Sequence, residues 1–332
     1  MKKFNDIIKK RTFIIAEIGN NHEGNFSLAK KLIDEAKKCQ VDAVKFQTII
    51  PEKYIYKENI DRLIQLKKFQ LSYEDFKKLS VYAKKKGLIF ISTPFDLDSA
   101  KYLNKIQNIF KVSSGDNNFY PLLETIAKFN KTIILSTGLR NLNEIKKIRA
   151  FINNVWKKRK KNNKKLILLH CVSSYPVNDE FANINSISYL KEKFKKNIIG
   201  YSDHTIGLSA SIGAVYLGAK VIEKHFTINN NYSKFRDHKL SLNPKNMKIL
   251  VEEIRKAEKI LGKKNKIPSQ DEKKNINLFK RAIAVNKNIK KGKKININDL
   301  IWVRSKIGIP AGNEKKILKN AKRDYKSGEL LL

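Results

Sequence analysis

The chain has 332 residues, a net charge of +39 from 70 Lys and Arg against 31 Asp and Glu, and only two cysteines, Cys39 and Cys171. Two cysteines are too few for a disulfide framework and fit the reducing cytoplasm. No apolar run approaches the roughly 18 residues of a membrane span, and FIIA, after the basic N-terminus, is too short for a signal-peptide core. The charge raises nucleic acid as a partner. Against it, the lysines are spread over helix exteriors and loops, as at 84–86 and 157–165, with no aromatic platform among them. They read as a solvated surface that draws in small anions, the alternative being a surface for polyanions.

Eight times along the chain a short apolar run stops in a polar cluster. In order these are FIIAEIG at Glu17, AVKFQT at Lys45 and Gln47, IFISTP at Thr93, and FKVSSGD at 111–116. TIILSTG at Ser136, LILLHCVSS at 170–174, IIGYSDH at 202–204, and KVIEKHF at Glu223 and His225 follow. Apolar runs of roughly 4 to 8 residues, separated by amphipathic segments of helical period, read as buried parallel strands with crossover helices. Eight such units predict an α/β fold, a (β/α)₈ TIM barrel, whose active site is built where the strands end.

The length exceeds the roughly 250 residues of a barrel, so a second domain fits. After an amphipathic segment at about 246–261, GKKNKIPSQDEKKN has no apolar periodicity and reads as a linker. Beyond it, RAIAVNKNIKKGKKININDLIWVRSKIGI alternates apolar and polar residues as half-buried strands do. The expected domains are a barrel at 1–262, a linker at 263–277 and a small β-rich domain at 278–332.

All five histidines, His22, His170, His204, His225 and His238, fall at or just after a predicted strand end. A lone histidine is more often structural than a ligand. His204 and His225, however, close the seventh and eighth runs, which neighbour each other in a barrel, so their imidazoles can converge on one ion. Carboxylates lie near them at Asp203, Glu223 and Asp237, which describes an open catalytic divalent site. Lys45, Lys111, Ser114, Ser136 and Ser202 would face the same mouth, and two ammonium groups with several hydroxyls form a pocket for a small dianion such as a phosphate ester. A surface charge is the plain reading of each lysine, and a Schiff-base lysine is the competing functional one. Glu17, beside Asn20, Asn21 and His22, is read as a group for proton transfer or sugar binding. Its plain reading is a helix cap, but Asn25 and Ser27 can supply that.

Together the strings FIIAEIGNNHEGN, VKFQT, FISTPFD, KVSSGDNNFYPL, IILSTGL, LLHCVSSYP, IGYSDHTIG and GAKVIEKHFT resemble the sialic acid synthases, also called N-acetylneuraminate or nonulosonate synthases. The resemblance runs from residue 13 to about 262 and resumes at 280, where the tail is similar to their antifreeze-like (β-clip) domain. It implies a transferase that condenses phosphoenolpyruvate with N-acetylmannosamine or a related acetamido sugar. Mn²⁺ or Mg²⁺ would sit on His204 and His225, with Glu223 behind them. Lys45, Lys111, Ser114, Ser136, Ser173 and Ser202 would hold phosphoenolpyruvate. Glu17 and Asp116 would move protons, and Gln47, Tyr175, Asp237 and Arg304 would contact the sugar. A domain-swapped homodimer is implied as well, with Arg304 reaching into the partner's sugar site.

Two positions depart from the family pattern. Ser173 stands where some members carry Asn, and the usual Arg-Pro-Gly-x-Gly of the tail appears as Arg304-Ser305-Lys306-Ile307-Gly308. Alternative readings are a legionaminate or pseudaminate precursor as acceptor, a phosphorylated aldose as in the 3-deoxy-ulosonate synthases, and a polyanion-binding protein on a degenerate barrel. The antifreeze-like tail argues against the aldose, and chemistry-bearing residues at all eight run ends argue against the last.

Overall fold

A computed structural model describes residues 2–160 and 165–332. Of the lysine-rich stretch at 157–165, residues 161–164 lie outside the described residues. The eight apolar runs are eight strands: β1 (Phe13–Gly19), β2 (Ala43–Thr48), β3 (Ile89–Pro94), β4 (Ile109–Val112), β5 (Thr132–Ser136), β6 (Leu166–Cys171), β7 (Ile198–Asp203) and β8 (Val221–His225). Their ladders are parallel. They follow the order β3-β2-β1-β8-β7-β6-β5-β4, and β3 and β4, at the two ends of that order, pack side by side. The expected TIM-type barrel is the fold observed.

Successive residues of a strand point to opposite faces, which sorts the apolar residues into two layers. Ile14, Ala16, Val44, Phe46, Leu168 and Ile222 face the helices. Phe13, Ile15, Ile91, Ile134, Ile167, Leu169 and Val221 fill the interior. The helix Lys2–Lys10 adds Phe4 and Ile8 to that interior cluster, with the Phe4 ring edge-on to Phe13 at 4.8 Å. The interior is thus mainly apolar towards the strand starts and polar and charged where the strands end.

Helix starts are fixed locally. Asn25 accepts from Leu28 N, as read from the sequence, and leaves Glu17 free of that duty. Asp96 accepts from Asp98 N and Ser99 N, while Ser72 and Asn141 form capping boxes with Asp75 and Glu144. Two short helices, Pro51–Tyr54 and Ile60–Phe69, enlarge the connection after β2.

The chain divides into two compact units, Met1–Gly262 and Lys263–Leu332. In the second, β9 (Arg281–Val285) pairs antiparallel with β10 (Leu300–Arg304) over a core of Ile283, Val285, Ile289, Ile295 and Leu300. The segment expected to be an irregular linker contains a helix, Gln270–Phe279. No described side chain of that helix is buried, so it shows no apolar stripe, and a Ser269–Glu272 capping box starts it. Among the described residues no helix is long and apolar enough to cross a membrane.

Candidate active site

The parallel register sets Glu17 beside Lys45 on β2 and beside His225 on β8, and Ser202 beside Glu223. Four charged groups meet there, none more than 5 % exposed: Glu17, Lys45, Lys111 and Glu223. Lys45 Nζ lies 2.8 Å from Glu17 Oε2 and 3.7 Å from Glu223 Oε1. Lys111 Nζ lies 3.6 Å from the same Glu223 oxygen. Neutral partners complete the set: Lys45 donates to Thr93 Oγ1 at 3.2 Å, Lys111 to Ser136 Oγ at 2.7 Å, and Ser202 Oγ to Glu223 at 3.0 Å. Gln47 Nε2 donates to Glu17 Oε1 at 3.3 Å and is itself held by Asn20.

Burying a charge costs several kcal/mol per ion unless a partner offsets it, so the protonation states follow from who has partners. Burial pushes Glu17 up to about 7, against the pull of Lys45 and with a push from Glu223. Burial acts in the same sense on Glu223, but Lys111 and Lys45 on either side hold its carboxyl below the usual range. Burial would lower Lys45 too, yet Glu17 and Glu223 keep it above the ordinary value. Burial pulls Lys111 down, with Lys45 adding to the push, and Glu223 offsets this only in part. Whenever Glu17 holds a proton, Lys45 and Lys111 face Glu223 as the one remaining carboxylate of the cluster, an arrangement that favours an incoming anion.

His204 Nδ1 lies 2.8 Å from Val172 O. A carbonyl only accepts, so in the neutral ring Nδ1 carries the proton and Nε2 keeps its lone pair. His225 lies 5.4 Å away between ring centroids, its Nδ1 buried without a hydrogen-bond partner. Burial holds its pKa well below the usual value, so the ring is neutral. Against burial, Cys171 and Val172 O hold the His204 pKa above its usual value, so a cation on its Nε2 would displace a proton there; two imidazoles, one oriented by a backbone carbonyl, fit a divalent cation. Among the described residues no group of three His, Cys, Asp or Glu converges, so this chain would supply two nitrogens and leave the remaining positions to oxygen ligands.

The Tyr175 ring sits 4.2 Å from His204 and 6.3 Å from His225, with the Arg236 guanidinium 4.8 Å from its centroid. Arg236 Nε donates to Asp237 at 3.3 Å, and burial raises the Asp237 carboxyl. Asp116, half-buried and likewise raised by burial, accepts from Ser113 Oγ. Ser114 and Ser173 flank Gly138: a Cβ there would come within 2.6 Å of both hydroxyls. Glycine at that position is what lets hydroxyls from the β4 and β6 loops approach each other.

Of the sequence-derived residues, Glu17, Lys45, Gln47, Lys111, Ser136, Ser202 and Glu223 share one network, and Tyr175 lies against the imidazole pair, tilted to His204 and edge-on to His225. Arg304 stands at the end of β10 in the second unit, exposed, its guanidinium 5.3 Å from the Phe279 centroid. Three histidines serve the fold. His22 Nδ1 accepts from Gly24 N, His170 Nε2 donates to Ala182 O, and His238 bridges Thr227 and Glu23. Sequence reading missed Asn117, which is fully buried and ties the β4 loop to the end of β5. An Asn-Asn pair inside a strand-end polar cluster was the available signal.

A parallel barrel with a buried ammonium–carboxylate cluster and paired imidazoles where its strands end has the layout of a barrel enzyme. The chain belongs to the NeuB family, whose model matches residues 32–266, and is a condensing synthase. It is 41 % identical to the N,N'-diacetyllegionaminic acid synthase of Campylobacter jejuni, over 97 % of this chain and 99 % of that one. It is 33 % identical to the pseudaminic acid synthase of the same species, over 97 % of this chain and 96 % of that one. The solved sialic acid synthetase of Leptospira borgpetersenii superposes with a TM-score of 0.74 at 36 % identity, covering 80 % of this chain and 90 % of that one.

The raised Glu17 carboxyl has a measurable effect on stability. Its folded pKa of about 7 lies above the ordinary 4.5, so between those values the folded chain holds a proton that the unfolded chain has released. Stability therefore falls as pH rises through that window and levels off above it. Urea midpoints at pH 5 and pH 7.5 are expected to drop more for the wild type than for Glu17→Gln. Equal drops would mean that Glu17 is ionised throughout.

Proposed function

We propose that this cytoplasmic enzyme condenses phosphoenolpyruvate with N-acetylmannosamine or a related acetamido sugar to give a nonulosonic acid and phosphate. The observation that carries the reading is the pair of ammonium groups of Lys45 and Lys111, each 3 % exposed, at the same barrel mouth as the two imidazoles. Lys45, Lys111, Ser114, Ser136, Ser173 and Ser202 bind the phosphate and carboxylate of phosphoenolpyruvate. Gln47, Tyr175 and Asp237 orient the sugar. His204 and His225 would hold Mn²⁺ or Mg²⁺, which when bound would supply Lewis-acid polarisation of the open-chain aldehyde.

The enol carbon C3 attacks that aldehyde carbon, water adds at C2, and the C2–O bond breaks to release phosphate. Glu17, with a pKa near neutrality, takes and returns the protons of these steps, and Asp116 assists from the β4 loop. Phosphate release is expected only when phosphoenolpyruvate and an acetamido sugar are both present, lost in EDTA and restored by Mn²⁺ or Mg²⁺. Release from no acetamido sugar of a panel would overturn the reading. The 41 % identical relative favours a second acceptor for that panel, a 2,4-diacetamido-trideoxy hexose on the way to a legionaminic acid.

The active unit in this reading is a homodimer in which the tail of one chain completes the other chain's site through Arg304, a planar donor for sugar oxygens. Mixing Arg304→Ala chains with His225→Ala chains is therefore expected to restore part of the activity that each lacks alone. If subunit exchange is demonstrated and no activity returns, Arg304 acts in its own chain or not at all.

A further inference from the structure

We propose that Asn117 and Arg140 form a clamp that positions the phosphate-facing end of β5, an assignment that rests on the phosphoenolpyruvate reading above. Asn117 follows β4 and is 0 % exposed. Its Nδ2 donates to Ser136 O at 3.2 Å and to Gly138 O at 3.0 Å, and its Oδ1 accepts from Arg140 Nε at 2.7 Å. The guanidinium decides the orientation of the amide. A flipped amide would set Oδ1 against two carbonyl oxygens and its NH₂ against an N–H. On the other side, Thr137 N and Oγ1 both bond Leu169 O, at 3.0 and 2.9 Å. Residues 136–138 are thus gripped from both sides, and the next residue, Leu139, sits at φ +64°, which only a held loop sustains in leucine.

The gripped segment carries the Ser136 hydroxyl that meets Lys111, and Gly138, where the Ser114 and Ser173 hydroxyls approach. A shift there misplaces hydroxyls from three loops at once. Neither Asn117 nor Arg140 contacts the reacting groups, so both are positioning residues. Arg140 borders a cavity of about 290 Å³, and its truncation removes the hydrogen bond without emptying the core.

Asn117→Asp keeps the shape and the acceptor for Arg140 but removes both donors and turns a carboxylate towards two carbonyls. Calorimetric titration of phosphoenolpyruvate without sugar is expected to show affinity weakened by about 10- to 100-fold, the range that unsatisfied buried polar groups produce. KM for phosphoenolpyruvate should rise in step while KM for the sugar stays within about threefold. Arg140→Ala should repeat the pattern more weakly with its thermal midpoint nearly unchanged, so that a folding defect in the first variant does not decide the matter. Wild-type affinity in both variants, or equal rises in the two KM values, would overturn the clamp and leave the functional reading standing. A wild-type enzyme that does not bind phosphoenolpyruvate would overturn both.

Discussion

His225→Ala is expected to lose phosphate release by more than about a hundredfold, the upper end of what losing even an outer partner of a metal site costs. The two imidazoles lie 5.4 Å apart, and no third His, Cys, Asp or Glu converges with them among the described residues. Removing one therefore halves the nitrogen donors that a cation could use. The fold should survive, because His225 sits at the last residue of β8, at the polar end of the barrel, away from the apolar interior. Mn²⁺ titration followed by electron paramagnetic resonance should show binding in the wild type and its loss in the variant. Wild-type activity that persists after EDTA would remove the metal from the reaction.

Lys111→Met should act on the other half of the site. Lys111 has one carboxylate partner and one hydroxyl partner, and the hydrogen bonds it would give a phosphate are charge-assisted, worth about 1.5–3 kcal/mol each. The loss in kcat/KM for phosphoenolpyruvate is then about 10- to 150-fold. The stability cost stays below the roughly 3–5 kcal/mol of a fully broken buried pair, since Lys45 remains 3.7 Å from Glu223. Borohydride added to the wild type with substrate should trap nothing, as a fixed charge forms no imine. A stable adduct on Lys45 or Lys111 would restore the Schiff-base reading.

The strands were legible because each is a short apolar run that stops in polar residues, and a parallel sheet buried on both faces requires that pattern. The pairing of His204 with His225 was legible for the same reason, since consecutive strands are neighbours in a barrel. The contacts of Glu223 were not. Only the folded ring sets one of its oxygens within reach of both Lys45 and Lys111, and no spacing in the chain encodes that distance. Asn117 escaped because its partners are backbone carbonyls, which sequence does not display. The helix Gln270–Phe279 escaped because apolar periodicity reports burial, and no described side chain of this helix is fully buried. Its Ser-x-x-Glu start was visible all the same.

The ladder between β1 and β8 pairs Phe13 with Val221, about 200 residues further along the chain. At a synthesis rate of roughly 5 to 20 residues per second, the first strand waits roughly 10 to 40 s for the eighth to be made. During that interval FIIAEIG, buried along its whole length in the finished ring, has an unpaired edge. A chain stalled before Val221 is consequently an open sheet that can pair with its neighbours on the polysome. Recovery of active enzyme should depend on how fast ribosomes deliver the last two strands, and slow, cool expression with a holding chaperone would favour closure over aggregation.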